Sequence, residues 1–245
     1  MEEKVIRLDL SGVNCYLVEA DDGYILFDTG GNLILDKEFT NRRQILIDKI
    51  EKAGVKPGDL KLVVITHGDI DHVANAAYIR EKYNTKIAMH KKDSELVENP
   101  QVKKMINPAH FKSLAFKAAI FIMKRMINKI MVKTYNNFER FTPDIFVDEG
   151  YNLIEYGLDA VVLHIPGHTP GSIGILFKNG EFISGDIFAN LKKPGTAPNA
   201  FDFDLMKESV ERLKGLNIKK IFPGHGAPFE AKELNYRKVN KSLTL

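Results

Sequence analysis

The stretch Thr66-His67-Gly68-Asp69-Ile70-Asp71-His72 follows directly after the apolar run Leu62 to Ile65. Such a run predicts a buried strand, and the polar residues behind it then lie in a loop at the carboxyl end of that strand. Imidazoles and carboxylates are ligands that Zn²⁺, Mn²⁺ and Fe²⁺ accept, and a catalytic centre needs several of them besides a position for water. The stretch therefore predicts a metal centre, with four candidate ligands: His67, Asp69, Asp71 and His72.

Length and composition indicate one layered domain. The chain has 245 residues, of which 44% are hydrophobic, and this is enough for a single large core. The formal net charge is only +3, so the molecule as a whole gives no strong case for binding nucleic acid. Cys15 is the only cysteine, which excludes an internal disulfide and fits a reducing compartment.

The chain has no sign of an export or membrane segment. The first residues, Met1 to Val5, form no apolar signal segment, and no run approaches the roughly 18 to 20 apolar residues of a membrane span. We therefore expect a cytoplasmic protein without stable membrane insertion. Neither composition nor charge indicates an oligomeric state.

Two parts of the chain have the same order of elements. Each begins with a hairpin pattern, Asn14 to Phe27 in one part and Ser172 to Ser184 in the other, with an Asp-Gly or Asn-Gly turn. A helical pattern follows, over Arg42 to Ala53 and over Asp204 to Leu213. After each helix comes a short apolar strand that stops at a His-Gly pair. We interpret the two parts as related β-β-α-β halves that face each other.

The spacing of polar residues supports this duplication. Asp28 and Asp186 each follow a hairpin, and His67 and His225 each begin a His-Gly pair. The interval from aspartate to histidine is 39 positions in both halves. Because ligands in layered α/β proteins collect at the carboxyl ends of strands, the site is expected at the junction of the halves.

The segment Gln101 to Phe141 fits neither half. From Gln101 to Phe138 it contains no acidic residue, whereas lysine, arginine and apolar residues recur throughout it. Apolar residues such as Leu114, Phe121 and Met126 fit a helical spacing, and Asn107-Pro108 is suited to open a helix. We predict one or two inserted surface helices.

We expect this insert to act as a helical lid over the mouth of the metal centre. Phe121 would then line a pocket for an apolar part of the substrate, and His110 and Phe188 are further candidates for substrate contact. Two alternatives remain open. The helices could simply pack against the body of the protein, or a basic amphipathic helix could rest on an anionic membrane surface.

Further isolated histidines and aspartates stand beside glycines at predicted strand ends. They are His168 in a Pro-Gly-His-Thr-Pro-Gly turn, Asp186 after Gly185, and His225 between two glycines. With the 66–72 stretch, this set resembles the metallo-β-lactamase superfamily, whose pattern is His-x-His-x-Asp-His, a distant His, an Asp and a last His. The resemblance runs from about Asn14 to about Pro228, without the insert. It implies a four-layer αββα sandwich, formed as a single domain over residues 1–245 with the insert at about 101–141.

The resemblance also implies a set of ligands for two ions. The first metal would take His67, Asp69 and His168, the second Asp71, His72 and His225, and Asp186 would bridge them. A shared carboxylate offsets the repulsion between two cations, and a water between them would be hydroxide near neutral pH and attack a carbonyl or phosphoryl centre. Asp71 is also the candidate catalytic residue. Asp28 is expected to hold the loop beneath the metals by hydrogen bonding rather than as a ligand.

Asp69 departs from the pattern, since most members of the superfamily have histidine there. A carboxylate is a harder, anionic ligand, so this change favours iron or manganese relative to zinc. The flavodiiron oxygen and nitric-oxide reductases, a branch of the same superfamily, also carry a carboxylate at this position. We therefore expect two divalent ions, either zinc or, as Asp69 favours, iron or manganese.

Four other residues are assigned structural roles. His90 and His164 lie at predicted strand ends, and neither position matches a ligand of the family. Cys15 has no second cysteine and no adjacent base, so we expect a buried thiol. Asp204 is expected to cap the helix that follows it.

The leading functional hypothesis is a metal-dependent hydrolase acting on an ester, lactone, thioester or phosphodiester of a small molecule. The turn around His168 resembles the lactonase and hydroxyacylglutathione-hydrolase branches of the superfamily. The alternative is a diiron redox enzyme that reduces or inserts oxygen and takes electrons from a separate donor. A metal-stabilised binding module without catalysis is a third class, and the complete ligand set argues against it.

Overall fold

The computed structural model describes residues 4–33, 40–100, 111 and 113–236. Its β-strands form two mixed sheets that pack face to face. The proposed helix start at Asn107-Pro108 and the candidate residue His110 lie outside the described residues.

The first sheet contains six strands, which lie between residues 5 and 146, in the order β1-β2-β3-β4-β5-β6. The first three run antiparallel to their neighbours, as the hairpin pattern predicts, and β3 to β6 are parallel. The strands are β1 (Val5–Asp9), β2 (Asn14–Ala20), β3 (Gly23–Phe27), β4 (Leu60–Val64), β5 (Lys86–Met89) and β6 (Ile145–Phe146).

The second sheet has the order β12-β11-β9-β8-β7, with the short β10 paired to β9. Here β7, β8 and β9 are antiparallel neighbours, and β9 is parallel to β11. The strands are β7 (Ala160–His164), β8 (Ile173–Phe177), β9 (Glu181–Asn190), β10 (Pro194–Thr196), β11 (Lys220–Gly226) and β12 (Phe229–Glu230). In both sheets an antiparallel hairpin is followed by a helix and a parallel strand, which is the order that the two related sequence halves predict.

Helices cover the outer faces of the sheets, so the layers follow the order α-β-β-α. Side chains along one strand alternate between cores: Leu17 packs toward the first helical layer, whereas Val18 packs between the sheets. A third core lies between the second sheet and its helix. The α-helices in the described part of the chain are α1 (Arg43–Lys52), α2 (Ile70–Val73), α3 (Ala76–Tyr83), α4 (Ser94–Glu98), α5 (Leu114–Asn136) and α6 (Phe203–Lys214). The predicted αββα sandwich is confirmed.

The structure agrees with the buried thiol expected for Cys15. Cys15 is fully buried in the first core, and burial followed by the charge of Asp28 raises its pKa well above the ordinary value, so the thiol stays protonated.

Asp204, however, is not the helix cap. Asp202 takes that place, because its Oδ1 accepts hydrogen bonds from the backbone N–H groups of Asp204 and Leu205.

The insert contributes one long helix, α5. Ile127, Met131 and Tyr135 recur at helical spacing and pack on the first core, whereas the N-terminal part of the helix is largely exposed. Within the described ranges, no helix combines the length and the apolar character needed to cross a membrane.

The two sheets are joined by hydrogen bonds near the start of β2. Asn14 Nδ2 donates to the carbonyl oxygens of Pro223, at 2.8 Å, and of Gly226, at 2.6 Å. The hydroxyl of Tyr16 donates to the same Pro223 oxygen at 2.6 Å. Because His225 lies between these two carbonyls, this buried contact fixes the strand that carries it.

We expect Asn14→Ala to lower the free energy of unfolding by about 2 kcal/mol, because the carbonyl oxygens of Pro223 and Gly226 each lose the hydrogen bond that the Asn14 amide donates. Chemical denaturation would measure this change. Asn217→Ala, at an exposed position, is the matched control and should be neutral. Equal stability of the two variants would contradict a role for Asn14 in joining the sheets.

Candidate metal centre

The candidate ligands come from both halves and meet between the two sheets. His67 follows β4, and Asp71 and His72 lie on the short helix α2. His168 lies in the turn between β7 and β8, and Asp186 and His225 lie on the parallel strands β9 and β11. Strand ends thus bring residues more than 150 positions apart to one place, as the sequence predicts.

One group of side chains gathers around Asp69. Its Oδ2 lies 3.1 Å from His168 Nε2 and 3.9 Å from His67 Nε2. Three donor atoms at this separation can surround one ion. This is the group expected to hold the first metal.

A second group gathers around Asp71. Its Oδ2 lies 3.3 Å from His225 Nε2 and 3.9 Å from His72 Nε2. These three side chains also bring their donor atoms within reach of one ion. They are the residues expected to hold the second metal.

Asp186 lies between the two groups. Its Oδ2 is 3.1 Å from His225 Nε2 and 3.7 Å from His168 Nε2, and its Oδ1 is 3.6 Å from His72 Nε2. One carboxylate therefore contacts histidines of both groups, which is the position of a bridging ligand.

Each histidine of the centre has its Nδ1 on an acceptor. His72 Nδ1 contacts Asp28 Oδ2 at 2.8 Å, and His67 Nδ1 contacts Thr66 Oγ1 at 2.9 Å. His168 and His225 contact the carbonyl oxygens of Asn199 and Gly12, at 3.1 and 2.6 Å. Because a carbonyl or carboxylate only accepts, and the Thr66 hydroxyl gives its own proton to Asp28, each Nδ1 carries the proton. All four Nε2 atoms are then left for the centre.

The donor set fits divalent metal ions. Three buried atoms of the centre have no hydrogen-bond partner among the described residues: His67 Nε2, His72 Nε2 and Asp186 Oδ1. Unpartnered buried polar atoms are costly, so their convergence on one space indicates a ligand there. Neutral imidazole nitrogen and carboxylate oxygen are donors that zinc, iron and manganese accept.

The backbone of β11 lies so close to two candidate ligands that position 224 requires a glycine. A Cβ atom there would overlap Asp186 Oδ1 and come within 2.7 Å of His72 Cε1. The Gly224 that precedes His225 therefore lets the β11 backbone lie directly against two ligands.

When no cation is bound, the negative charge of the carboxylates favours the protonated form of two histidines of the centre. Burial alone would lower the pKa of His72, but Asp186, Asp28 and Asp71 together raise it to about 9. Burial likewise opposes protonation of His168, but Asp69 and Asp186 raise its pKa to about 9. A divalent cation would replace these protons as the charge that neutralises the buried carboxylates.

Asp28 holds the loop from behind, as expected from the sequence. Its Oδ1 accepts a hydrogen bond from the Thr66 backbone N–H at 2.8 Å, and its Oδ2 faces Nδ1 of His72 rather than Nε2. Asp28 itself has a left-handed backbone, with φ at 59°. Its hydrogen bond orients His72, and a supporting role for Asp28 stays the prediction.

Asp93 is a central residue that the sequence analysis missed. It is fully buried, and it accepts hydrogen bonds from the backbone N–H groups of Gly68 at 2.8 Å and Gly171 at 2.7 Å, and from Thr169 Oγ1 at 2.6 Å. It thereby ties the loop of His67 to the turn of His168. No local signal marks it, because its partners lie 25 to 78 positions away.

The insert also reaches the centre. Phe111 forms an isolated bridge with Asn199, whose carbonyl orients His168. At the other end of α5, burial and then the carboxylates of Asp69 and Asp71 raise the pKa of Tyr135 well above its ordinary value. The bridge at Phe111 puts the start of the insert beside a ligand-bearing turn, and Tyr135 lies within electrostatic range of two candidate ligands.

Two of the proposed substrate residues lie elsewhere. Phe188 is fully buried in the third core, where no substrate can reach it, because β9 is covered by α6 on that side. Phe121 is 73% exposed and lies on the part of α5 that makes little contact with the body.

His90 and His164 form a separate pair with Asp148. Their rings stack at 4.2 Å and are nearly parallel, so one ion cannot lie in the plane of both. His90 Nδ1 accepts the Lys92 N–H, so its Nε2 carries a proton toward Asp148, and His164 Nε2 donates to the Pro170 carbonyl. This geometry agrees with the structural role expected for both histidines.

Comparison with known proteins places the same features in one family. A family model described as the metallo-beta-lactamase superfamily matches residues 8–225. Hydroxyacylglutathione hydrolase GloC of Haemophilus influenzae is 28% identical over 237 residues, covering 93% of this chain and 92% of that protein. An N-acyl homoserine lactonase from a Bacillus species is 24% identical over 251 residues, covering 89% of this chain and 82% of the lactonase.

Solved structures show the same fold. A metallo-beta-lactamase family protein from Thermus thermophilus superposes with a TM-score of 0.69 at 18% identity, over 98% of this chain and 77% of that one. The metallo-beta-lactamase GOB-18 from Elizabethkingia meningoseptica gives 0.62 at 16% identity, over 95% and 82% of the respective chains. At these identities the likeness concerns the fold.

We expect Asp93→Ala to weaken metal binding by about 10- to 100-fold, because the two ligand-bearing loops lose their common acceptor. Stability should fall as well, since buried N–H groups are left unpaired. Calorimetric titration with Zn²⁺ and chemical denaturation would measure the two effects. Asp22→Ala, at an exposed aspartate, is the control. Unchanged zinc affinity in Asp93→Ala would contradict the positioning role.

Proposed function

Since the chain belongs to the metallo-beta-lactamase superfamily, we propose that it is a hydrolase that uses two divalent metal ions to cleave an ester, lactone, thioester or phosphodiester in a small molecule. The observation that carries the proposal is the convergence of four imidazole Nε2 atoms and three carboxylates on one buried space. Such a set is what metal-dependent hydrolysis needs.

The proposed division of ligands follows the two groups. A first ion would be held by His67, Asp69 and His168, a second by Asp71, His72 and His225, and Asp186 lies within reach of both groups. Bound there, divalent ions supply Lewis acidity and lower the pKa of a coordinated water. The chain supplies the geometry, because each Nδ1 is held by an acceptor and each imidazole is therefore fixed in orientation and tautomer.

Asp71 is proposed to act in catalysis as well as in binding. Its side chain is 18% exposed, and His225 Nε2 lies 3.3 Å from its Oδ2. A carboxylate in this position can hold a water near the substrate and accept its proton.

The names of the relatives support carbonyl substrates. One relative is named a hydroxyacylglutathione hydrolase and another an N-acyl homoserine lactonase, so a thioester and a lactone are the first substrates to test. Over the described residues, the site offers the same kinds of donor that both reactions need.

We also propose that the insert is the lid of this site. Its support is the bridge between Phe111 and Asn199, whose carbonyl oxygen accepts the hydrogen bond that orients His168. Phe111 and Asn199 replace Phe121 as the expected contacts to the substrate. Such a lid excludes water and positions the reacting group.

One observation favours the redox alternative. Asp69 contributes a hard carboxylate where histidine is usual, and it lies 3.1 Å from His168 Nε2. Iron accepts such a set readily. A diiron enzyme of this kind would require an external electron donor.

The function is tested by loading metal-free protein with Zn²⁺, Mn²⁺ or Fe²⁺ and assaying a panel of thioesters, lactones and phosphodiesters. Hydrolysis by wild type, with loss of activity in Asp186→Ala, is expected. Metal content of that variant should fall from two ions toward one or none, because the shared anion is gone. Asp22→Ala is the control. Two tightly retained ions in Asp186→Ala would refute the bridging assignment, and oxygen consumption without hydrolysis would favour the redox enzyme.

We expect Asp69→His to shift the bound metal toward zinc, because imidazole is a softer ligand than carboxylate. Both proteins would be loaded from one solution that contains zinc, iron and manganese, and elemental analysis would give the ratios. Equal ratios in wild type and variant would show that Asp69 does not set the preference.

A further inference from the structure

Helix α5 has two faces of different character. Ile127, Met131 and Tyr135 form the stripe that packs on the first core. At 100° per residue, Ile122 lies on the side of the helix opposite this stripe, and Leu114 and Phe121 lie on the flank between the two. The side that ought to be polar is therefore apolar over its N-terminal part.

These outer side chains project far into the solvent. Leu114, Phe121 and Ile122 are 81%, 73% and 80% exposed, and Met126 and Val132 are each 47% exposed. Single exposed apolar residues are ordinary, but several on one helix face form a patch of the kind that marks an interaction surface.

The same face carries charge of one sign only. Arg125 and Lys129 lie among the exposed apolar residues, and α5 contains no aspartate or glutamate along its whole length. A surface that combines protruding apolar side chains with basic groups is complementary to anionic lipid, because the apolar groups enter the headgroup boundary while the cations meet phosphate.

We propose that the outer face of α5 docks the protein on the surface of an anionic lipid bilayer. We define this membrane face by Leu114, Phe121, Ile122, Arg125, Lys129 and Val132. The helix lies in the interfacial plane and does not cross the membrane. Its inner stripe stays packed on the enzyme, so docking leaves the fold unchanged.

A second copy of the chain fits this face less well. In a two-fold dimer the same patch meets itself, so Arg125 and Lys129 would approach their own copies, and like charges at an interface are unfavourable. A dimer would also require that two copies of this helix surface match each other in shape. A bilayer needs no such complementarity of shape.

The test is flotation of the full-length protein with vesicles of phosphatidylcholine alone and of phosphatidylcholine mixed with phosphatidylglycerol. We expect binding to the anionic vesicles only, and weaker binding at high salt. Arg125→Gln combined with Lys129→Gln should lower the affinity about fivefold for each charge removed. Phe121→Glu combined with Ile122→Glu should abolish binding.

Ile154→Glu, at an exposed apolar residue far along the chain, and Lys207→Gln, on α6, are the matched controls and should bind as wild type does. Thermal unfolding of all variants would show that the fold is intact. The proposal is overturned if the protein floats with neither kind of vesicle, or equally with both. It is also overturned if Phe121→Glu instead abolishes a concentration-dependent dimer seen by light scattering, or if binding survives the changes on α5.

Discussion

The centre depends on one constraint: each of its four imidazoles must donate its Nδ1 proton away from the space that the candidate ligands share. Asp28, Thr66 and two backbone carbonyls accept these four hydrogen bonds. If any acceptor moved, that imidazole could turn or change tautomer, and its Nε2 would no longer face the space shared with Asp186. The acceptors come from loops that different strands carry, so the sandwich as a whole is what fixes the chemistry of the site.

The contacts that join the two halves also hold the candidate ligands in position. Asn14 and Tyr16 hold Pro223 next to His225, and Asp93 holds Gly68 and Gly171 next to two other ligands. Each of these contacts is buried and links parts of the chain that are far apart in sequence. Stability and metal binding are thus coupled, because the bonds that join the sheets also hold the ligands in position.

The insert connects the site to the surface of the molecule. Its inner stripe packs on the first core and brings Tyr135 toward Asp69 and Asp71, and its outer face exposes Phe121 and neighbouring apolar residues. One amphipathic helix can therefore pack beside the metal centre with one face and present apolar side chains at the molecular surface with another. Phe121 was expected to line a pocket because helical spacing identifies apolar positions on a helix but does not say which face meets the body.

The sequence by itself determined the repeated order of the two halves and the residues that meet at the centre, because strand ends marked by glycine, histidine and aspartate are local signals. The αββα sandwich was implied by the resemblance that these residues carry to the metallo-β-lactamase superfamily. The sequence did not identify Asp93 or the carbonyl of Asn199, since such contacts join residues 25 to 78 or 31 positions apart and leave no local pattern. Burial was misjudged for Phe188, and the helix cap was Asp202 rather than Asp204. These points were decided by tertiary structure alone, because packing chooses which of several suitable side chains turns inward and which acceptor stands within reach of a given donor.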